Sequence, residues 1–588
     1  MIQKSQLEKS DYKTKDIIRL ISKTGKFGYT GRPLSHLLFF YNSLMEYYDG
    51  ISVAFRALNI RHPEHVAMYI YIETSRIQWI TREMLEHPAF AEDALLRLVS
   101  PFLKELNDSY INDNKADFSY GKISCQSVDY SVCRRSGLLY DKEADAFVLK
   151  LKLVFPTGSG STISGSKMAR FLKDILKLVD EKTAFGDKED TEKRFHVYLR
   201  QQQIRKWCKE HGYITFIADG SVLPRRGDTE EPSLTAIPFS SPEKYRVCIP
   251  LDDEDNITGM GLKRGVTVIT GAGFSGKTTL LEAIDAGIFD HVPGDGREYV
   301  LSDRTAFVAN AEDGRYVHGV DMSAFFLKIP GQDCHNFSTT DASGSVSQAA
   351  NIIEAVQAGA RLCLIDEDKS ATNFMICDSK MRRLVPDEII IPFTDRIDEL
   401  VKTKNVSFII VIGGSSEYFR YADHILVMRD YQPHSIDAEI EKELRSEPKH
   451  QRNLPPIAFS DKYYNMSETD MTKLLFRTVN AEKIKKVFVG QCSADVSALT
   501  SIKDDDQLHG LAMGVYKTMV LSKSENKSIY ALAEDGMEQF WDDLTNEGCT
   551  YEGMFRQWFV SDVRPIDVML TINRMRGFEF SLKRETLQ

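Results

Sequence analysis

The run Gly271-Ala272-Gly273-Phe274-Ser275-Gly276-Lys277-Thr278 packs glycines, a lysine and a hydroxyl into one short stretch. Glycines at these spacings let backbone N–H groups converge on one point, and a helix starting there adds its partial positive charge. The spacing is the GxxxxGK[ST] pattern, and its surroundings suit it: Val266–Thr270 reads as a strand and Thr279–Ala286 as a helix. The chemistry predicted is capture of a triphosphate. Lys277 would reach the β and γ oxygens, Thr278 would give its hydroxyl to Mg²⁺, and Gly271 through Thr279 would form the loop that binds ATP or ADP.

Leu362-Cys363-Leu364-Ile365-Asp366-Glu367 supplies the complementary part, a buried-strand pattern that ends in two carboxylates. Asp366 is placed to hold the metal, and Glu367 to polarise the attacking water, with Lys277 as the second catalytic group. An apolar run ending in Asp-Glu is common by itself. Behind a complete phosphate loop it carries weight.

A third segment, Asp341-Ala342-Ser343-Gly344-Ser345-Val346-Ser347-Gln348, opens a helical run through Ala360. It resembles the LSGGQ-type signature of ABC ATPases, so Ser343, Gly344 and Ser345 are expected to grip the γ-phosphate bound by a second copy, at a helix start suited to an anion. Ser370-Ala371-Thr372-Asn373 is spaced like the ABC D-loop. Where ABC proteins place a switch histidine, after the strand run Phe408–Ile412, this chain reads Gly413-Gly414-Ser415-Ser416, so the sensor is missing or replaced by Ser415. Gln332 stands at a plausible Q-loop distance. Glu312, Asp313 and Asp321 could suggest a second metal site, but turn chemistry around Gly314 explains them more simply.

Longer strings resemble a predicted ABC-class ATPase family of bacteria and some eukaryotes: Asp219–Arg225, Pro293–Glu298, Ala311–Arg315, Ser343–Asn351 and Ile365–Met375. The resemblance covers roughly residues 135–588. It implies an ATPase without transmembrane partners, working as a head-to-tail homodimer. A kinetoplastid member belongs to a mitochondrial RNA-editing complex, so the resemblance also implies RNA, a multiprotein RNA-editing complex and a mitochondrial location.

The elements that must position these groups are read from pattern and composition. At 588 residues the chain has room for several domains, and 42% hydrophobic with 27% charged residues is the balance of a folded protein. The expected class is α/β: an ABC-type P-loop ATPase core with a mixed α+β N-terminal region and a smaller α-rich C-terminal domain. Leu34, Leu37, Leu38, Tyr41, Leu44, Met45 and Tyr48 recur at helical spacing, so residues 1–116 read as mostly helical. Residues 117–245 read as an α+β domain with an expected RNA-binding role, 246–440 as the ATPase domain, and 455–588 as a C-terminal domain. Leu149, Leu151 and Leu153 alternate with Lys150 and Lys152 as in a half-buried strand; Thr157 to Ser166 reads as a loop, and Glu439–Arg452 as a charged linker.

Net charge is −11, so an RNA role needs a local basic surface; Lys150, Lys152, Lys167, Arg170, Lys173 and Lys177 are the candidates, against the blander reading of a solvated face. The nine cysteines are scattered and lack CxxC spacing, which suits a reducing compartment. No apolar run is long enough for the ~30 Å of hydrocarbon in a membrane. Two functions stay open: an ATPase that drives clamp-like motion of flanking domains, and a slow-hydrolysing, nucleotide-gated binding scaffold. A small-molecule kinase would leave Ser343–Gln348 without a role.

Overall fold

The computed structural model describes residues 8–9, 26–27, 43–48, 50–58, 65–112, 121–158, 162–227, 229–252, 255–385, 388–446, 448–450, 454–464, 476–481, 484–522, 524–546, 558–578 and 580–584. These fall into two compact units, one within Met1–His196 and Glu538–Asp562, the other within Val197–Met537 and Val563–Gln588.

In the first unit, β1 (Ser43–Tyr48), β2 (Ile51–Ala57), β3 (His65–Glu73) and β4 (Ala146–Val154) pair antiparallel in that order. The sequence of β3, rich in Val, Ile and Tyr, suits a strand covered on both faces, and Val66 through Ile72 are all buried. Helices α1 (Pro88–Asn112) and α2 (Gly165–Ala184) pack together in the same unit. The helical reading of residues 1–116 is corrected here: Leu44, Met45 and Tyr48 lie in β1, and two further strands follow before α1. Residues 34, 37, 38 and 41 lie outside the described residues. Spacing of i, i+3 and i+4 fits a helix, but pairing with a β-branched neighbour wins over it. One sheet also crosses position 116, because β3 and β4 pair from His65↔Val154 to Glu73↔Ala146. The expected loop after Phe155 contains a short strand pair, Thr157–Gly158 with Thr162–Ser164.

The two largest sheets of the second unit surround the phosphate loop's sequence. β5 (Tyr213–Ala218), β6 (Arg246–Pro250), β7 (Asn256–Lys263) and β9 (Val300–Ser302) form an antiparallel sheet in the order β6-β7-β5-β9; β8 (Val266–Gly271) belongs to the other. That second sheet takes β10 (Phe307–Val308), β11 (Leu362–Asp366), β12 (Ser407–Val411), β8, β13 (His424–Arg429) and β14 (Gln432–Ser435) in the order β10-β11-β12-β8-β13-β14. All pairs are parallel except β13 with β14. A central parallel strand buried on both faces needs continuous apolar sequence, and β11, β12 and the first four residues of β8 are buried throughout.

Helix α3 (Lys277–Ala286) lays Leu280, Leu281, Ala283 and Ile284 into the core beside Ile269, Leu364, Ile409 and Leu426. Each buried leucine or isoleucine among them contributes about 1.5–3 kcal/mol. Helix α4 (Gly344–Gln357) and helix α5 (Pro565–Asn573) pack against each other in this unit. The segment expected as a charged linker begins as a helix, Ala438–Ser446, in which Glu441 is buried and paired with Arg445 and Lys244. Residues beyond it add the helix Asp505–Leu521 and short antiparallel strands, among them Ser460–Tyr464 with Phe580–Arg584. No helix among the described residues is long and apolar enough to cross a membrane.

Candidate nucleotide site

The phosphate loop joins β8 to α3, as its flanking patterns require. Gly276 at the start of α3 has φ 95° and Gly271 at the end of β8 has φ 148°; a Cβ on Gly271 would stand 2.5 Å from the Met428 carbonyl oxygen. Only glycine fits there. Phe274 has φ 59°, left-handed for a bulky side chain, and is 99% exposed. Lys277 Nζ donates to the carbonyls of Gly271 at 2.8 Å and Ala272 at 3.0 Å, which arches the loop over its own ammonium. The Ser275 hydroxyl is buried and has no partner. An orphaned hydroxyl, a lysine held on the loop and a helix N-terminus together fit a bound polyphosphate.

Register brings the acidic strand level with this loop. Val411 of β12 pairs with Ile269 of β8 on one side and with Asp366 of β11 on the other. Asp366 is 4% exposed, and its carboxylate accepts from the Asp368 N–H at 3.2 Å. Its backbone carbonyl accepts from Ser370 Oγ at 2.7 Å. Glu367 Oε2 accepts from the Gly413 N–H at 2.7 Å and the Gly414 N–H at 3.3 Å. Beside it the Tyr418 phenol is pushed well above its ordinary pKa, first by burial and then by the Glu367 charge. Thr278 and Asp366 are the residues that would hold Mg²⁺, which is usually bound by one or two protein oxygens with phosphates and waters completing its shell.

The Gly413-Gly414 pair thus occupies the place where a histidine was expected, and its backbone amides turn toward the Glu367 carboxylate. The Ser415 hydroxyl accepts from the Glu417 N–H at 3.3 Å within its own loop.

Ser343 caps α4 with extended backbone (φ −68°, ψ 164°), but its side chain makes no cap hydrogen bond. A Cβ on Gly344 would lie 3.2 Å from Asp313 Oδ1. Ser345 Oγ donates to Asn373 Oδ1 at 2.8 Å, joining the serine-headed helix to the D-loop-like turn. Gln348 strengthens that joint: its amide donates to the Ala309 carbonyl and Ser370 Oγ, and its oxygen accepts from the Ala371 N–H at 2.8 Å. Sequence reading gave Gln348 no role, although a glutamine one turn into a helix and facing its apolar side was a usable signal. The structure therefore gathers the predicted residues into two groups, Gly271–Thr279 with Asp366 and Glu367, and Ser343–Ser345 with Asn373. No hydrogen bond among the described residues links the first group to the second. Gln332 sits exposed in a turn, its N–H on the Ile329 carbonyl.

A buried ionic network missed by sequence reading braces α4 from below. Glu354 is 0% exposed between Arg315, with which it forms a short ion pair, and Lys462 Nζ at 3.0 Å. Burial alone would raise the Glu354 carboxyl, but Arg315 and then Lys462 outweigh it and hold it below the usual range. Arg574, the residue after α5, donates to Glu312 Oε1 at 2.7 Å and Asn351 Oδ1 at 2.8 Å. Glu312 is thereby accounted for as a structural acid, and Asp321 caps the Ser323 N–H at 3.0 Å. No group of three or more metal-binding side chains occurs among the described residues.

The basic candidates divide. Lys150 is buried and donates to the Trp558 carbonyl at 2.8 Å, and Lys152 lies over the Phe559 ring at 4.3 Å, so neither is an open phosphate contact. Lys167, Arg170, Lys173 and Lys177 do line the exposed side of α2, where Arg170 and Lys177 pair with Asp174 and Glu181.

Fold and site together are those of a P-loop domain, and residues 187–462 match the model of the ABC ATPase family, described as a P-loop domain. Among curated proteins, an uncharacterized protein of Methanocaldococcus jannaschii is 31% identical over 312 residues, 50% of this chain and 66% of that protein. The chain thus spans just under two thirds of that relative's length. Two solved structures overlap 40% of this chain at 14% identity: cbiO1 from Clostridium perfringens, part of the ABC transporter complex cbiONQ (92% of that chain, TM-score 0.25), and an ATP-binding cassette of an ABC transporter in its ADP conformation (96%, 0.24).

Proposed function

We propose that this chain binds Mg-ATP at Gly271–Thr279 and hydrolyses it in a head-to-tail homodimer, where Ser343, Gly344 and Ser345 of one copy meet the γ-phosphate held by the other. The observation that carries this reading is the alignment of Ile269, Val411 and Asp366 across three neighbouring strands, which sets the phosphate loop and Glu367 at one sheet edge. Lys277 neutralises charge on the β and γ oxygens, and Glu367 takes a proton from the attacking water. Bound Mg²⁺, held through Thr278 and Asp366, would neutralise phosphate charge. The unused Ser343 hydroxyl and the N-terminus of α4 suit an anion arriving from outside the chain.

RNA is the proposed cargo, within a mitochondrial RNA-editing complex. The support is the family resemblance, with α2 as the remaining basic surface. Nucleotide-driven closure would then move the flanking regions against that cargo.

A second reading is favoured by Gly413-Gly414: a clamp that binds ATP and turns over slowly, because no side chain extends from that pair. Phosphate release under multiple-turnover conditions separates the two. An ATPase continues past about one phosphate per site, whereas a clamp stops near it; a chain that binds no ATP at all would sink both.

A further inference from the structure

The turn Glu312–Gly314 is fastened to the start of α4. The Glu312 N–H donates to Ser347 Oγ at 2.9 Å and the Gly314 N–H to the Ala342 carbonyl at 2.8 Å, so the turn is held by residues on either side of Ser343–Ser345. The Glu312 carboxylate is engaged by Arg574 and Asn351. Its neighbour Asp313 is exposed, and no ion pair to it occurs among the described residues.

That fastening sets a carboxylate where a phosphate is expected. Asp313 Oδ1 stands 3.2 Å from the position a Cβ on Gly344 would take, at the first residue of α4. Asp341, also exposed, lies against the same turn, with Oδ1 3.4 Å from the Cβ position of Gly314. A helix N-terminus favours an anion, and here one from the same chain already rests beside it. Ser343 makes no side-chain cap bond, so its hydroxyl does not occupy that end.

We infer that Asp313 is a brake on closure: its carboxylate sits at the head of α4 and repels the γ-phosphate presented by a second copy, so that it sets how tightly two copies close on ATP. This rests on the reading that Ser343, Gly344 and Ser345 receive that phosphate. The sign follows from charge alone. Two like unit charges about 4 Å apart oppose each other by a factor of about 5 even in bulk water and by more at a dehydrated surface, and a symmetric pair of copies meets that opposition twice.

The test uses the full chain carrying Glu367→Gln, so that ATP persists, and sedimentation equilibrium with Mg-ATP at a concentration that saturates each variant by its own titration. Asp313→Asn keeps the shape and removes the charge, and it should tighten the ATP-driven dimer about 10-fold or more. Asp313→Ser should do the same. The gap to the parent should narrow as salt is raised from about 0.05 M to about 0.5 M, because added ions screen the repulsion. Glu210→Gln removes an exposed acid from the helix Lys188–His211 and should tighten nothing. Unchanged or weaker association in Asp313→Asn overturns the inference, and so does an equal gain in Glu210→Gln, which would assign the effect to net charge. If neither the parent nor Asp313→Asn dimerises while both bind Mg-ATP, the reading of Ser343–Ser345 falls and takes the brake with it; dimers of equal affinity leave that reading intact and remove the brake alone.

Discussion

The Gly413 amide donates to Glu367 Oε2 over 2.7 Å, so the carboxylate one residue beyond Asp366 is aimed by backbone from the neighbouring strand end. Glutamine can accept the same bond through its amide oxygen but is no base. Glu367→Gln should therefore fold and bind ATP as the parent does while steady-state phosphate release falls about 10²- to 10⁴-fold, the usual contribution of a general base. Turnover within threefold of the parent would remove Glu367 from the chemistry.

Lys277 spans the Gly271 and Ala272 carbonyls, which holds its ammonium on the loop. At an ATP concentration about 100 times its Kd, binding to the folded state alone adds about 2.7 kcal/mol, a rise of a few degrees in melting temperature. That rise should vanish in Lys277→Ala with the ligand-free melting temperature nearly unchanged. Its persistence would place the nucleotide elsewhere.

Glu354, Arg315 and Lys462 form a charge cluster with almost no exposure. Glu354 is the acid shared by two buried cations, so Glu354→Gln leaves Arg315 and Lys462 without their counter-charge and should cost about 3–5 kcal/mol by urea denaturation. Adding Lys462→Met, which removes one of the two cations, should recover part of that loss. Because this cluster underlies α4, Glu354→Gln should also weaken ATP-dependent pairing of two copies more than it weakens ATP binding to one.

Glu92 of α1 is buried, and burial pushes its carboxyl up to about 7 against the opposing pull of Arg134 and the Tyr140 N–H. Between the unfolded value near 4.5 and about 7, the unfolded chain has released this proton while the folded chain retains it. Stability from this group is therefore full below about 4.5 and lost as pH rises to about 7, on the order of 3 kcal/mol at 1.4 kcal/mol per unit. Glu92→Gln should gain stability relative to the parent at pH 8 but not at pH 4. An equal difference at both would place the Glu92 titration outside this window.

The second unit was readable where local chemistry and fold agree. Glycines at φ 95° and 148° are forced by the loop itself, and Leu362–Asp366 is too apolar to sit anywhere but inside a sheet. Alternation over Leu149–Leu153 correctly marked a strand, yet it could not show that Trp558 and Phe559 cover the lysine face. The helical spacing of Leu44, Met45 and Tyr48 misled for the same reason: the partner strands that decide their conformation come later in the chain. Glu354, Lys462 and Arg574 are brought together from distant stretches, and no local pattern announces such a meeting.

The most direct measurement is sedimentation of the full chain carrying Glu367→Gln, with and without Mg-ATP. Two copies closing on two triphosphates predict a monomer that becomes a dimer only with nucleotide, and a Ser343→Arg change in the same background that stays monomeric while still binding ATP. A chain that binds ATP yet stays monomeric, or a nucleotide-driven dimer indifferent to Ser343→Arg, would contradict the account.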